Sequence, residues 1–326
     1  VIEPIVLAEL CERLRGSRGM QHKGDIAIAY RGLGDAPLPC RVGDDCAAIP
    51  DPDGSGFTLF AIEGLLDEFV HREPWFAGYC SVMVNLSDIA AMGGRATAVV
   101  DAIWTAGHER AEPIWNGMHD ASRAYGVPIV GGHTNARSDG DRLAVAVLGR
   151  ATRVMTSFDA KPGDALLAAL DLRGSYFGPY PYWNCSTSAP HDRLRADLDL
   201  LPGLAEDGLC RAAKDISMGG VLGTLLMLLE CSGVGARVAL DRIPRAPEAP
   251  LERWLLSFPS FGYLLAVSPG DVDAVRERFT ARGIACDAIG ECTGDRRVRV
   301  SLGDDERVFW DLAASPFTGV RAYAAT

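Results

Sequence analysis

The sequence predicts an α/β (α+β) protein of two domains, and three observations predict it. At 326 residues the chain is long enough for two domains of ordinary size, each with its own core. From Arg41 onward, short apolar runs rich in β-branched residues alternate with stretches of helical period. The same mixed pattern starts again after Thr156. The expected division is a helix with a mobile glycine-rich arm over 1–40, an N-terminal domain over 41–155 and a C-terminal domain over 156–326.

Taken in order, Ile5, Leu7, Leu10 and Leu14 mark a short amphipathic helix. GSRGMQHKGDIAIAYRGLGD follows; it is too rich in Gly for one regular element and is expected to be mobile. FTLFAIE (57 to 63) and AVVDAIW (98 to 104) read as strands. GHERAEPIWNGMHDASRAYG reads as a helix entered near Glu109, and VPIVGG and the alternating RLAVAVLG as further strands. KPGD at 161 to 164 is a turn, ALLAAL restarts a strand, and Gly219 to Glu230 is helical in pattern. The second half continues with strands at ARVAL and PSFGYLLAV, a helix at VDAVRERFTARG and a closing hairpin over DAIGECTGDRRVRVSL. The aromatic segment 174 to 190, GSYFGPYPYWNCSTSAP, is expected to be a large ordered surface loop.

Lys+Arg 32 against Asp+Glu 43 gives a net charge of -11, which argues against a nucleic-acid surface, because phosphate backbones need a positive field. A cation is the expected guest. No apolar stretch approaches the roughly 20 residues of a membrane span, so neither a membrane anchor nor a leader is expected. The nine cysteines contain no CxxC pair and read as reduced thiols of a cytoplasmic protein.

The stretch SVMVNLSDIAAMGG raises the chemical question. On a helix Val82, Leu86, Ile89, Ala90 and Gly93 share an apolar face, and Asp88 falls on the flank of Ser81, Asn85 and Met92. A buried carboxylate without a partner is costly, so Asp88 needs water, an Arg such as Arg95, or a cation. Three more acidic stations stand at strand ends and helix starts. They are Asp44 and Asp45 behind Gly43 in VGDDCA, Glu63 closing an apolar strand, and Asp215 in KDISMGG. Ahead of the helix in that last motif, the N–H groups of Ser217, Gly219 and Gly220 suit an anion. Carboxylates without a Cys or His cluster indicate a hard cation, hence Mg²⁺ holding phosphates. GxxxxGK[ST] is missing, so ATP would have to bind by another device.

In this order, from about Arg41 to Arg299, the segments resemble the superfamily of aminoimidazole ribonucleotide synthetase, thiamine-monophosphate kinase, selenophosphate synthetase and the hydrogenase-maturation carbamoyl dehydratase. VGDDCAAI is similar to that family's GDDAAV, NLSDIAAMGG to the kinase segment, and IVGGHT stands in the place of its GGDT. AKPGD, DISMGG, SGVGARVAL and IGECTGD also find counterparts. The resemblance implies an ATP-binding fold of two α/β domains, usually a homodimer through the N-terminal sheets, with Mg²⁺ held by aspartates around the triphosphate. Position by position it assigns Asp44, Asp45, Asp88 and Asp215 to the metal, with Glu63 where the kinase has the Asp of TTD, and Asn85 as a polar neighbour. Lys23 matches a lysine of the glycine-rich arm that would close over the phosphates, and His133 replaces the Asp of GGDT as a donor to phosphate or substrate.

Departures mark a divergent, synthetase-related member. Met218 replaces the second Asp of the kinase's DISDG, Met20, Gln21 and His22 stand where selenophosphate synthetase has its nucleophile, and the tail RAYAAT lacks the Cys of the carbamoyl dehydratase. The implied function is ATP- and Mg²⁺-dependent phosphoryl transfer to, or phosphate activation of, a small-molecule acceptor. The alternatives are an ATP-dependent synthetase that forms a C–N bond, and a non-catalytic nucleotide-binding relative. Among the other histidines only His71, shortly after Glu63, is a further candidate.

Overall fold

A computed structural model describes residues 6–33 and 40–320. The chain forms two compact units that do not follow its linear order. One takes the described residues of Val1–Asp44, Met155–Cys185 and Asp207–Thr326; the other takes Asp45–Val154 and Ser186–Glu206.

The glycine-rich stretch expected to be mobile is helical. α1 (Leu7–Arg15) buries Leu7, Leu10 and Leu14, and α2 (Arg18–Gly24) and α3 (Ile26–Leu33) follow it. Ser17 caps α2 by accepting the Met20 N–H at 3.4 Å. A Cβ at Gly19 would stand 2.0 Å from the Met218 carbonyl oxygen, so the glycine that reads as a breaker permits close packing instead. Ile5, Gly34 and Asp35 of the expected helix and arm lie outside the described residues.

In the unit that holds Asp45–Val154, β1 (Ala47–Pro50), β2 (Phe57–Gly64), β3 (Arg95–Trp104), β4 (Ile129–Asn135) and β5 (Arg142–Ala151) build a five-stranded sheet of order β1-β2-β5-β3-β4. All its pairs are antiparallel except β3 with β4, which the crossover through α6 (His108–Tyr125) makes parallel. Short α4 (Asp67–Arg72) and long α5 (Pro74–Ala91) join β2 to β3. Leu59, Val99, Ile103, Val145 and Val147 are buried, while Ile49, Phe60, Ile62, Val100 and Leu148, on the opposite face by register, are exposed. α5 and α6 meet backbone to backbone at two glycines: a Cβ at Gly78 would lie 2.1 Å from Ile114 O, and one at Gly117 1.9 Å from Trp75 O.

Residues 186–206, expected in the C-terminal domain, belong to this unit through polar ties. They carry α7 (His191–Leu198) and α8 (Leu200–Glu206). Ser186 Oγ hydrogen-bonds the hydroxyls of Tyr79 at 2.7 Å and Tyr125 at 2.8 Å, Arg195 donates to Ala124 O at 3.0 Å, and Arg95 donates to Asp199 at 2.6 Å.

The other unit centres on seven strands: β6 (Ala165–Leu170), β9 (Ala212–Asp215), β10 (Gly235–Ala239), β12 (Gly262–Val267), β13 (Ala285–Thr293), β14 (Arg297–Leu302) and β15 (Asp305–Asp311). Their order is β15-β14-β10-β13-β6-β12-β9, so the expected closing hairpin does not form. β10 enters between β13 and β14, antiparallel to the first and parallel to the second, and its buried Ala236 and Val238 line up with Cys292 and Gly290 on one side and with Val298 and Val300 on the other. β7 (Ser175–Tyr176), β8 (Tyr182–Asn184) and β11 (Phe258–Pro259) order the aromatic segment into a small separate sheet. There the Arg253 guanidinium lies 3.7 Å from the Tyr176 ring centre. α9 (Gly220–Ser232) is buried through most of its length, and α10 (Leu251–Leu255) and α11 (Val272–Thr280) complete the helices.

Near the end of α9, buried Glu230 accepts the N–H groups of Phe317 and Thr318, both at 2.7 Å, and so holds the C-terminal segment. All nine cysteines are free thiols, and among the described residues no helix is long and apolar enough to cross a membrane. Because the Gly117 contact is with backbone, it cannot relax by a rotamer change. Gly117→Ala should cost about 1–3 kcal/mol in a urea titration, and an unchanged midpoint would show that α5 and α6 are not locked at this crossing.

Candidate functional site

α5 is buried from Phe76 to Ala91, so Asp88 does not sit on a solvated helix. Ser81 and Asn85 are fully buried and Asp88 is 6% exposed. The surface partner considered for Asp88, Arg95, is engaged by Asp199 and Glu206. Asn85 Nδ2 donates to Ser81 O at 2.7 Å, which fixes the amide orientation and leaves the buried Oδ1 without a hydrogen-bond partner. One turn further along the same flank comes Asp88, and Asp45 brings a carboxylate oxygen to within 4.8 Å of one of its oxygens. Like charges at this spacing repel unless a cation or a proton separates them. An amide oxygen with no donor beside two carboxylates is a donor set for a hard cation, and Mg²⁺ fits it.

The neighbouring carboxylate is employed differently. Asp44 accepts from Ser157 N at 2.8 Å and Ser157 Oγ at 2.7 Å, so it braces the chain near Met155 while Asp45 turns toward Asp88. Gly43, at φ 131°, must be glycine, because a Cβ there would lie 2.7 Å from the Tyr30 hydroxyl and 2.9 Å from Val320 Cγ1. Glu63 is exposed at the end of β2, opposite Val145. His133 is exposed on the edge strand β4, its ring 5.8 Å from Trp104.

In the unit that holds α9, Asp215 is buried at the end of the edge strand β9, and so is Lys214 before it, which sequence reasoning passed over. Of the N–H groups expected to serve an anion, that of Ser217 goes to Thr224 Oγ1 at 3.2 Å and that of Gly220 to Ser217 O at 2.8 Å. Gly220 has φ 62° and no room for a Cβ, which would stand 2.1 Å from Leu255 O. A Cβ on Gly219 would touch Lys23 Cγ at 3.6 Å. α2 therefore lays Lys23 over the start of α9, and Lys23, Ser217, Gly219 and Gly220 come together in one place.

Asp101 was the larger omission. It is 6% exposed on β3, with neither oxygen hydrogen-bonded to another residue. Burial pushes its carboxyl up to about 6, against a slight lowering by its own backbone. Gly132 beside it on β4 makes the room, since a Cβ there would stand 2.2 Å from Asp101 Oδ2. The signal was present in AVVDAIW, where an Asp shares the strand face of Val99 and Ile103.

Models of the AIR synthase related protein N-terminal and C-terminal domains match residues 43–151 and 187–303. The chain is 46% identical over 320 residues to an uncharacterized protein of Synechocystis, covering 96% of this chain and 98% of that one. It is 34% identical over 241 residues to an uncharacterized protein of Methanocaldococcus jannaschii, covering 73% and 74%. Among solved structures, T. maritima PurL complexed with ADP is similar in fold, with a TM-score of 0.75 at 21% identity; the match covers 94% of this chain and 51% of that one, so the chain spans about half of PurL.

The orphaned Asp101 sets a pH signature. A carboxyl raised in the folded protein contributes stability that is complete below its unfolded value near 3.8 and is lost as pH rises through about 6. Asp101→Asn should therefore be more stable than the parent above pH 6, by on the order of 2 kcal/mol, and should lose that advantage by pH 4. Thermal melts from pH 4 to 8 check this, and a gap that does not vary with pH would mean that Asp101 is not desolvated as described.

Proposed function

This chain belongs to the AIR synthase related family, and from that premise we propose that it is an ATP- and Mg²⁺-dependent synthetase acting on a small molecule. Its reaction phosphorylates an oxygen of the acceptor and lets a nitrogen displace the phosphate to form a C–N bond. The observation that carries this reading is the buried oxygen set of Asp45, Asn85 and Asp88. When bound there, Mg²⁺ would supply positive charge to the phosphates.

The remaining roles fall to the chain itself. Asp45 and Asp88 hold the ion with Asn85 Oδ1, and Asp215 carries the same role in the family resemblance. Asp44 positions Asp45 through its hold on Ser157. Lys23, fixed by α2 rather than carried on a loose arm, directs its ammonium at phosphate, and the Ser217–Gly220 turn keeps the backbone bare beside it. Glu63 keeps the metal role, and His133 the role of donor to phosphate or substrate, that the family resemblance gives them, and both are exposed at the sheet. Such catalysis is largely positioning and charge neutralisation, which this equipment can provide.

Synthetase chemistry is preferred to simple phosphoryl transfer for two reasons. Met218 and His133 stand where the kinase pattern has carboxylates. T. maritima PurL, whose fold this chain shares, has been solved complexed with ADP and with FGAR. A homodimer through the five-stranded sheet is proposed as well. Ile49, Phe60, Ile62, Val100 and Leu148 form a contiguous exposed apolar face, which isolated soluble domains rarely display.

Calorimetric titration of ATP should show binding that requires Mg²⁺, and Asp88→Asn should weaken it by roughly 100-fold or more with the melting temperature preserved. Unchanged binding in that variant would sink the assignment. With γ-labelled ATP and a screened acceptor, label released as inorganic phosphate supports the synthetase, and label retained on the product supports a kinase. For the dimer, Phe60→Asp should bring the solution mass down to the 34.8 kDa of one chain by light scattering, and a parent already at that mass would remove the proposal.

A further inference from the structure

The C-terminal end of α9 is closed by backbone alone. Gly233 turns left-handed at φ 68° and gives its N–H to Glu230 O at 3.1 Å, and Val234 N reaches Leu229 O at 3.0 Å. The side chains of Glu230, Cys231 and Ser232 are therefore not needed as caps, and each goes to another segment of the chain. Glu230 holds the backbone of Phe317, Thr318 and Gly319. The Cys231 thiol, 2% exposed, donates to Gly43 O at 3.4 Å. Ser232 Oγ donates to Ser157 O at 2.7 Å and accepts from Ala160 N at 3.0 Å, so one hydroxyl spans the turn over 157–160.

That turn is the seat of Asp44. Ser157 is fully buried and gives both its N–H and its hydroxyl to the Asp44 carboxylate, while its carbonyl is held by Ser232. Earlier in the same segment the Arg41 guanidinium lies 4.9 Å from the Phe158 ring centre and 3.6 Å from Asp159. Between these ties stands Gly43, backed by Tyr30 and Val320. Cys231 takes the Gly43 carbonyl and Ser157 takes the Asp44 side chain, so the backbone is pinned on both sides of the Gly43–Asp44 peptide bond. The direction in which the next residue, Asp45, leaves the chain is set there.

We propose that Ser232, acting through Ser157, is a positioning residue of the cation site: it holds the turn from which Asp44 directs Asp45. This rests on the cation reading of the Asp45, Asn85 and Asp88 oxygens. Asp45 needs such a hold because its carboxylate comes within 4.8 Å of that of Asp88, and the two repel each other until an ion lies between them. With the turn released, Asp45 can swing away from Asp88 before the ion arrives. Binding must then restore the arrangement, and affinity falls by that cost.

Mn²⁺, which takes the same oxygen ligands as Mg²⁺, is the probe, and electron paramagnetic resonance of the free ion reads its binding below the melting range of every variant. Ser232→Ala should weaken Mn²⁺ binding by roughly 10-fold, as loss of a group that orients a metal ligand does. Ala is a better helix former than Ser, so the end of α9 persists in that variant. Ser232→Thr keeps the hydroxyl on a half-buried residue and should bind as the parent does. Val275→Ala removes fully buried atoms from α11 and should lower the melting temperature without changing Mn²⁺ affinity. Equal affinity in parent and Ser232→Ala, an equal fall in Val275→Ala, or no recovery in Ser232→Thr overturns the role. A parent that binds no Mn²⁺ overturns the cation reading itself and this role with it, so the two failures are told apart by the parent alone.

Discussion

The arrangement around α5 is governed by the cost of burying the amide oxygen of Asn85 where no donor reaches it. The helix sits inside its unit, so every polar atom on it must be answered there. The hydroxyls answer themselves: Ser81 Oγ donates to Gly78 O at 2.8 Å and Ser87 Oγ to Met83 O at 3.3 Å, both within the helix. Asn85 satisfies its amide N–H in the same way and keeps an oxygen in reserve. The bare backbone at Gly78 and Gly117 lets α6 seal the helix from solvent without adding a donor. A helix built for stability alone would carry Ala or Leu at positions 85 and 88, so the unit gives up packing energy to keep buried oxygens there.

Periodicity made the long elements legible. β2, β3, β5, α6 and α11 announce themselves by alternation or by helical spacing. The environment of α5 was not legible in the same way, because a helix buried on all sides has no solvent face for a pattern to mark. Strand order was hidden for another reason. That β10 lies between β13 and β14 depends on contacts dozens of residues apart, and a local pattern records which face a strand buries but not which neighbour it takes. The glycine-rich arm misled because a glycine that permits close packing and a glycine that loosens a loop are the same letter.

Carboxylates stand out wherever they interrupt apolar runs, and so Asp88, Glu63 and Asp215 could be singled out from sequence, Asp88 and Asp215 as buried residues and Glu63 as an exposed one. Asp44 and Asp45 could not be told apart, since adjacent side chains diverge and only the fold decides which meets Ser157 and which meets Asp88. His71 drew notice only through its place after Glu63. Its hydrogen-bond partner, Asp141, lies 70 residues away, beyond any spacing rule.

The threading of the seven-stranded sheet also sets a timetable. Residues 45–154 contain a whole five-stranded sheet with α5 and α6 in one continuous stretch, so this region can begin to fold while the rest of the chain is still being made. The unit around β10 must wait. Arg15 of α1 donates to Phe309 O at 3.1 Å in β15, so the first helix finds that partner only when the last strand of the described residues has emerged. Until β14 arrives, one side of β10 is an unpaired edge with buried-type residues on it, open to the same segment of another nascent chain. The interval between synthesis of β10 and of β14 therefore leaves that edge open to mispairing.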